Sequence, residues 1–344
     1  MSGIRESKFH NNRGSVLITQ GRFDAARQEI EAALREDPTS ATALTNLGYL
    51  LLREGRLDEA ILLYHKAIGI NPSYAVAYNN LGLAYTEKEM YAEAGEAYGR
   101  AISADPTNAV AHMNLALLYH VQGELNEAIE AYRTYLRIRP ADTQAHYNLG
   151  VVYLAKGLQD QAASAFWQAV KIDRNHAEAR INLGAILTRK QQWDQAIEML
   201  LPVIEKNPDN LLARYHLALC RLGKGDLQQA ATELESLLSR DPDSLQAVNN
   251  LALIYRETGR PEKAVQLLVL CLEKHPENTT LHYNLGLVYK GMNRFQDAAS
   301  HFNKVIEWEP EGSTRGEMAR KVLSEQYGNG SAAREAEKKG DRSI

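Results

Sequence analysis

Asparagine recurs along the chain at a fixed interval of 34 residues. The series has eight members, seven of them asparagine and one histidine: Asn46, Asn80, Asn114, Asn148, Asn182, His216, Asn250 and Asn284. An asparagine side chain offers N–H donors and a carbonyl acceptor together, which suits the polar groups of a peptide backbone. Asparagine also disfavours helix interiors by roughly 0.5 kcal/mol relative to alanine. The series therefore predicts a row of sites for polypeptide main chain.

The residues around this series carry aromatic, amide and apolar groups. Several of the directly preceding residues share such side chains: Asn79, Tyr147, Tyr215, Asn249 and Tyr283. Three residues after each member, the side chain is apolar or aromatic, as at Leu83 and Leu117. This surface could bind an extended peptide. Alternatively, the amides bridge adjacent helices, since half-buried amides need hydrogen-bond partners in any case. Both roles can hold at once.

The histidines and cysteines indicate neither catalysis nor metal binding. His112, His146 and His282 share one register of the 34-residue interval, which favours a role in packing. Cys220 and Cys271 are isolated, with no C-x-x-C spacing. No strand followed by a glycine-rich loop is apparent either. We therefore predict a protein that is not an enzyme and has no cofactor and no metal site.

The same interval organises most of the chain. Its prolines stand 34 residues apart, with one gap of 68, at Pro38, Pro72, Pro106, Pro140, Pro208, Pro242, Pro276 and Pro310. With the proline as position 32 of a unit, nine units start at residues 7, 41, 75, 109, 143, 177, 211, 245 and 279. A fixed period of this length is typical of a solenoid or a repeat array.

Each unit contains two apolar stripes separated by a turn. Positions 4, 7, 8 and 11 have the spacing of one helix face, and positions 20, 24 and 27 form a second stripe. Position 15 between them is usually glycine, which suits a left-handed helix end. The proline at position 32 ends the second helix. Each unit is thus predicted to be a helical hairpin that buries its apolar face by stacking on its neighbours.

This pattern resembles the tetratricopeptide repeat over roughly residues 7–310. The resemblance implies an all-α fold, a right-handed superhelical solenoid of helix-turn-helix repeats whose first helices line a concave groove. The asparagine series, at position 6, is similar to the asparagine ladder in the repeats of O-linked N-acetylglucosamine transferase and of kinesin light chains. There the amides bind the backbone of an extended peptide. The resemblance implies that the asparagines and their polar neighbours named above form a peptide-binding groove.

The sequence suggests four segments. Residues 1–6 are predicted to be an N-terminal tail, and residues 7–310 the nine repeats. Residues 311–327 are predicted to be a capping helix, because Thr314 to Glu317 match a capping box and Ala319, Val322 and Leu323 share an apolar face. Residues 328–344 are rich in glycine, serine and charge and are predicted to be a disordered tail.

Charge and composition limit the classes of partner. The chain has 39 Lys plus Arg against 43 Asp plus Glu, a net charge of -4, which does not favour a nucleic-acid binder. No apolar stretch approaches the length of a membrane span, and the first residues do not read as a secretory signal. We expect a cytoplasmic protein with no nucleic-acid partner and no membrane insertion.

These observations favour a scaffold or adaptor that binds an extended segment of a protein or peptide partner of unknown identity. Two alternatives stay open. The repeats could self-associate into a structural homo-oligomer, which the low net charge permits. The chain could also be a regulatory subunit of an enzyme complex.

Three departures from the repeat pattern meet between units 6 and 7. Pro202 lies inside a predicted second helix, Arg221 replaces an apolar or aromatic residue at position 11, and His216 interrupts the asparagines. One poor interface can uncouple the two sides of a solenoid. The sequence therefore predicts a weak joint at this point.

Overall fold

The structure is a computed structural model and describes residues 2–327. Nineteen helices and no strands occur in that part of the chain. The predicted all-α fold is confirmed: the helices alternate as first and second helices of successive hairpins. They fall into two compact units, divided between Ala179 and Arg180.

The first unit contains five hairpins. Its helices are α1 (Ser2–Thr19), α2 (Phe23–Glu36), α3 (Ala41–Arg53), α4 (Leu57–Ile70), α5 (Ala75–Glu87), α6 (Tyr91–Ala104), α7 (Ala109–Gln122), α8 (Leu125–Ile138), α9 (Thr143–Ala155) and α10 (Gln159–Ile172). Residues 2–6, predicted to be a tail, are instead the first turns of α1. Within this segment Gly3 approaches the end of α2, where a Cβ would lie 3.3 Å from the carbonyl oxygen of Glu36.

The second unit contains four hairpins and a final single helix. Its helices are α11 (Ala177–Arg189), which begins just before the division, α12 (Trp193–Lys206), α13 (Leu211–Lys224), α14 (Leu227–Leu238), α15 (Leu245–Glu257), α16 (Pro261–Lys274), α17 (Thr279–Gly291), α18 (Phe295–Trp308) and α19 (Thr314–Tyr327). Ala319 of α19 is fully buried, and Val322 and Leu323 pack against the core of this unit. The N-cap contact comes from Ser313, whose Oγ accepts from the Gly316 N–H at 3.0 Å. The predicted tail 328–344 lies outside the described residues.

The turn inside every hairpin needs one residue in the left-handed region. Position 15 has a positive φ in all nine repeats, from 58° to 83°. Six of these residues are glycine, and the other three are Glu89, Gln191 and Asn293, each at φ 58°. Glycine adopts this conformation without the steric cost that a Cβ imposes, which explains its frequency at this position.

Close approach of the two helices in a hairpin depends on glycine at position 8. A Cβ at Gly82 would lie 2.5 Å from Cε1 of Tyr98, and one at Gly150 would lie 2.6 Å from Cε1 of Phe166. Both rings belong to the buried core. The large residue at position 24 therefore packs directly on the backbone of the first helix.

Replacing Gly82 with alanine is expected to destabilise the first unit by about 1–3 kcal/mol, because the methyl group overlaps the Tyr98 ring. Gly99 in α6 is the matched control, since a Cβ there meets nothing within 4 Å. Gly99→Ala should stabilise by about 0.5–1 kcal/mol through helix propensity. Urea denaturation of both variants measures the difference. Equal stabilities would show that the Tyr98 ring moves aside freely.

The structure accounts for two of the three departures behind the weak joint predicted between repeats 6 and 7. Repeat 7 and residues 180–210 of repeat 6 lie in the second unit. Pro202 stands inside the continuous helix α12. A proline has no N–H to give to the carbonyl four residues earlier, that of Glu198. Arg180 supplies the donor instead, with Nη1 at 3.3 Å from that oxygen.

Arg221 is likewise not a defect in packing. Its Nη1 lies 2.7 Å from Oε1 of Glu233, and Nη1 of Arg214 lies 2.5 Å from Oε2 of the same carboxylate. Arg214 also donates to the carbonyl of Pro208 at 2.9 Å. All three charged side chains are at most 19% exposed. An ionic triad therefore replaces the usual apolar contact between α13 and α14.

Candidate functional site

The eight predicted site residues at position 6 lie on one face of the first helices, formed by positions 2, 6, 9 and 13, which we call the ladder face. The other five predicted residues are at position 5, beside this face. All eight members of the position 6 series are half-buried. Exposed apolar side chains accompany them, including Val76, Val110, Leu117 and Val121 in the first unit. The ladder face thus combines amides that are partly accessible with apolar surface.

In the first unit, two amides of the series reach back to the preceding repeat. Asn114 Nδ2 donates to Oδ1 of Asn79 at 2.9 Å. Asn46 Nδ2 donates to Oδ1 of Asn11 at 2.8 Å and is 2.9 Å from Oγ of Ser15. The acceptor amide lies 35 residues earlier in both pairs, at position 5 of the previous repeat. Each bond therefore ties two successive first helices together.

The second unit repeats this arrangement. Asn284 Nδ2 donates to Oδ1 of Asn249 at 2.7 Å, and Asn250 Nδ2 donates to the Tyr215 hydroxyl at 3.2 Å. The spacing is again 35 residues. The bridging role that the sequence left open thus occurs in both units, and it explains why amides and tyrosines recur at position 5.

The other three asparagines of the series, Asn80, Asn148 and Asn182, make no bridge of this kind to a described residue. Asn148 follows a repeat with Met113 at position 5, and its Oδ1 accepts from Gln144 instead, at 2.8 Å. Asn80 accepts a bond at 3.3 Å from its neighbour Asn79. The Asn182 side chain makes no hydrogen bond to any described residue.

His216 also lacks a bridge, because Ile181 occupies position 5 of the repeat before it. Its Nδ1 is buried and has no hydrogen-bond partner among the residues that the structure describes. Burial, followed by the charge of Arg189, lowers the pKa of the imidazole below its usual value. A neutral imidazole therefore interrupts the ladder at this point.

Two of the predicted aromatic residues pack inward. The Tyr147 ring lies 5.7 Å from the ring of Phe166 and 5.0 Å from that of His176. The Tyr283 ring lies 5.7 Å from the ring of Phe302. These tyrosines therefore pack against second-helix rings, and Tyr147 also packs against His176 in the loop before α11.

A cavity of about 240 Å³ opens on the ladder face of repeats 3 and 4. Its lining contains no charged residue and consists of Leu83, Thr86, Tyr91, Tyr98, Asn114, Leu117, Leu118 and Val121. Leu117 is 39% exposed and Val121 is 70% exposed, so the entrance is apolar. Burial raises the pKa of Tyr98 to about 12, and its hydroxyl is 3.0 Å from Oγ1 of Thr86. The cavity can accept an uncharged side chain beside a ladder amide.

Asn114 links the cavity to the ladder. One Nδ2 hydrogen serves the bridge to Asn79, and the Oδ1 atom makes no hydrogen bond to any described residue. The side chain is therefore held in place while its carbonyl oxygen is still available as an acceptor. Bridging and ligand binding are compatible at this residue.

Sequence reasoning missed part of this cavity. Tyr91 and Tyr98 come from the second helix α6, and Val121 is at position 13, outside the residues predicted to bind. The sequence could have indicated Val121, because it is apolar at a position that is charged in several other repeats, such as Arg53 and Glu87. It could not have indicated the residues of α6, since no periodicity shows which second-helix side chains reach the ladder face.

The position 4 histidines have structural partners. Their Nε2 atoms lie 2.9–3.1 Å from a proline carbonyl oxygen six residues earlier, in the pairs His112 with Pro106, His146 with Pro140, and His282 with Pro276. These contacts hold the loop to the first helix. Residues 2–327 contain no group of three or more His, Cys, Asp or Glu side chains arranged to hold a metal ion.

Family comparisons match successive parts of the chain. A family described as tetratricopeptide repeat matches residues 11–75 and 79–143. The cytochrome c-type biogenesis protein H TPR domain matches residues 124–242, and the TT21 fifth ARM repeats domain matches residues 212–313. No curated protein matches the chain.

Solved structures of repeat proteins are similar to parts of the chain. YrrB, described as a TPR protein with an unusual peptide-binding site, is 29% identical over 54% of this chain and 95% of its own, with a TM-score of 0.47. MamA is 32% identical over 48% and 96%, with a TM-score of 0.43. The C-terminal part of a TPR repeat-containing protein from Cytophaga hutchinsonii is 16% identical over 70% and 99%, with a TM-score of 0.58.

None of the helices within residues 2–327 combines the length and the apolar character needed to cross a lipid bilayer.

Proposed function

This chain belongs to the tetratricopeptide-repeat proteins, and on that premise we propose that it binds an extended segment of a partner polypeptide along its ladder face. The fold is typical of non-catalytic scaffolds for protein interactions. In the proposed complex, ladder amides hold the main chain of the segment. The cavity in repeats 3 and 4 receives one of its side chains.

The observation that carries this proposal is the hydrogen bonding and position of the Asn114 side chain. Its bridge to Asn79 fixes the amide, its Oδ1 makes no hydrogen bond to a described residue, and the residue lines the 240 Å³ cavity. A fixed acceptor beside an apolar cavity matches the repeating unit of a peptide, a backbone N–H next to a side chain. Fixing the amide in advance lowers the entropy that binding would otherwise cost.

The lining of the cavity favours a bulky apolar side chain in the ligand. Val76 and Val110, both exposed, extend the apolar surface along the same face. A charged side chain in this cavity would lose its hydration without gaining an ion pair, which is unfavourable. We therefore expect segments with leucine, methionine or an aromatic residue at this point.

Peptide display tests the proposal without a known partner. A random 12-residue library is selected on the full chain, and the recovered peptides are measured by fluorescence polarisation. Changing Asn80, Asn114 and Asn148 together to alanine should weaken their binding roughly 10- to 1000-fold, at about 0.5–1.5 kcal/mol for each lost hydrogen bond. The peptides should share a central bulky apolar residue.

The matched control is Asn303→Ala, because Asn303 is an exposed asparagine on the second helix α18. Its affinities should equal those of the wild type. Circular dichroism should show the triple variant fully helical, since alanine favours the helix. If the triple variant is folded and binds every selected peptide as tightly as the wild type does, the ladder face is not the site.

A further inference from the structure

A second and larger cavity lies elsewhere in the first unit, between the second helices α4 and α6. It has a volume of about 390 Å³, within the range of about 300–1,000 Å³ that is usual for ligand pockets. His65 and Ile68 of α4 form one wall, and Glu93, Glu96, Ala97 and Arg100 of α6 form the other. Tyr78, Leu81 and Tyr85 of α5 form the floor. We call it the outer cleft.

The outer cleft does not open on the ladder face. Its floor residues occupy positions 4, 7 and 11 of α5, whereas Asn80 and Leu83 of the same helix occupy positions 6 and 9. At about 100° per residue, these two sets point to opposite sides of the helix. A ligand in the outer cleft therefore leaves the ladder face free, and its binding is independent of the function proposed above.

The walls combine apolar, aromatic and acidic groups. Ile68, Leu81 and Ala97 provide an aliphatic interior, and two tyrosine rings flank it. The Tyr85 hydroxyl is fixed at 3.1 Å from Nε2 of His65. Cations are attracted to the faces of such rings.

The rim of the outer cleft carries a net negative charge. Glu96 is 3.8 Å from Arg100, a loose and exposed pair. Glu93 has no ion-pair partner among the described residues. One uncompensated carboxylate thus stands over an aliphatic and aromatic cavity, a combination that fits an organic cation with an apolar stem.

Position 23 of repeat 3 is the small residue Ala97, which lines the cleft without filling it. The equivalent residue is Glu233 in repeat 7 and His301 in repeat 9, and each fills the space by bonding to the residue at position 4. In repeat 3 the pair is Ala97 and Tyr78, which leaves the volume open. A larger residue at position 23 is compatible with the fold, since Leu63 and Leu267 occupy it in repeats 2 and 8.

We propose that the outer cleft binds an arginine side chain of a partner polypeptide. A guanidinium group stacks on tyrosine faces and pairs with a carboxylate through its planar N–H groups, and it does both better than an ammonium group. The aliphatic stem of arginine would lie along Ile68 and Leu81. The chain would thereby hold a second polypeptide segment on the side away from the ladder face.

Methyl NMR of the full chain tests this proposal. The Ile68, Leu81 and Ala97 methyl groups line the cleft, and Ile129 and Ile254 report on other parts of the protein. The probe is Nα-acetyl-arginine amide, compared with its uncharged analogue Nα-acetyl-citrulline amide. We expect saturable shifts at the cleft methyl groups with the arginine probe and at least tenfold weaker binding of the citrulline probe.

Two variants and a control complete the experiment. Glu93→Gln should weaken the arginine probe by about two- to fivefold, as removal of an exposed charge pair does. Ala97→Leu should abolish the shifts by filling the cleft. Glu127→Gln alters the same position of the next repeat and should bind like the wild type.

Three outcomes would overturn the proposal. One is the absence of shifts at Ile68. Another is equal binding of the citrulline and arginine probes. The third is tighter binding of spermidine than of the arginine probe, which would make the cleft a polyamine site. Should Ala97→Leu fail to fold, as the Ile129 methyl signal would reveal, Glu93→Gln against Glu127→Gln still decides the matter.

Discussion

Replacing Glu233 with alanine is expected to lower the free energy of unfolding of the second unit by about 3–5 kcal/mol. Within residues 180–327, Glu233 is the only acidic residue that forms ion pairs with both Arg214 and Arg221 of α13. Its removal leaves two guanidinium groups with little access to solvent and no counter-charge. The Nε atom of Arg214 already lacks a hydrogen-bond partner among the described residues. This part of the described structure therefore offers no other acceptor to replace the lost carboxylate.

Repeat 8 provides the matched control for this substitution. At positions 4, 11 and 23 it carries Val248, Tyr255 and Leu267 in place of the two arginines and the glutamate. The triple change Arg214→Val, Arg221→Tyr and Glu233→Leu should be neutral or stabilise the unit by about 1–4 kcal/mol, as apolar replacement of buried ion pairs often does.

Guanidinium chloride is unsuitable for this measurement because its salt screens charge, so urea denaturation measures both variants. If Glu233→Ala is as stable as the wild type, the triad is solvated and contributes nothing. Arg221→Tyr alone should destabilise the unit, because it leaves Glu233 with a single partner.

Acidification is expected to destabilise repeat 9 through a pair of histidines. His282 and His301 face each other with their Nδ1 atoms 2.6 Å apart. His282 Nε2 must carry its hydrogen, because it faces the carbonyl oxygen of Pro276 at 2.9 Å. Its Nδ1 is then bare and accepts from His301, so two neutral rings satisfy this geometry.

Burial, then the charges of His282 and Lys304, lower the pKa of His301 to about 4, although Asp297 opposes the shift. Burial, then Lys304, also lower the pKa of His282, and the Pro276 carbonyl opposes the shift. Well above pH 6.5, the ordinary pKa of histidine, both rings are neutral in the folded and unfolded states. As the pH falls through this value, the unfolded chain binds protons that the folded pair, with its lowered pKa values, does not bind.

The lowered pKa of His301 reduces the free energy of unfolding as the pH falls from 6.5 to about 4. The reduction is about 1.4 kcal/mol for each pH unit and reaches about 3 kcal/mol. Hydrogen exchange of peptides from residues 279–308 at pH 7 and pH 5, corrected for the intrinsic exchange rate, measures it. His301→Leu should flatten this pH dependence, whereas His65→Gln, which removes an exposed histidine of the first unit, should not. Identical pH dependence in wild type and His301→Leu would refute the assignment.

The repeat architecture could be predicted from the sequence because its signals recur at every period. A deviation at one position, such as Glu89 in place of a turn glycine, does not obscure the pattern because six other repeats keep the glycine. The tail predicted for residues 1–6 was wrong over residues 2–6 for the opposite reason. That segment occurs once, and the approach of Gly3 to Glu36 leaves no periodic trace.

Pairings between irregular positions could not be predicted in the same way. In the sequence, Arg221 only departs from the repeat pattern. Its ion pair with Glu233 becomes visible when α13 and α14 are packed together in the structure. The hydrogen bond that Arg180 donates to the Glu198 carbonyl likewise depends on tertiary contact. Polar residues that replace a packing residue are ambiguous in sequence, because their partner is chosen by proximity and not by spacing.

The 35-residue bridges give the array a direction. Each bridged amide depends on position 5 of the repeat before it, so a repeat carries the anchor for its successor and not for itself. Repeats are therefore not interchangeable modules. Placing repeat 4 after any repeat with methionine or isoleucine at position 5, as Met113 and Ile181 are, would leave Asn114 without its fixed acceptor. Duplication or reordering of repeats, a common route by which such arrays lengthen, would disturb the ladder at each new junction unless position 5 travelled with it.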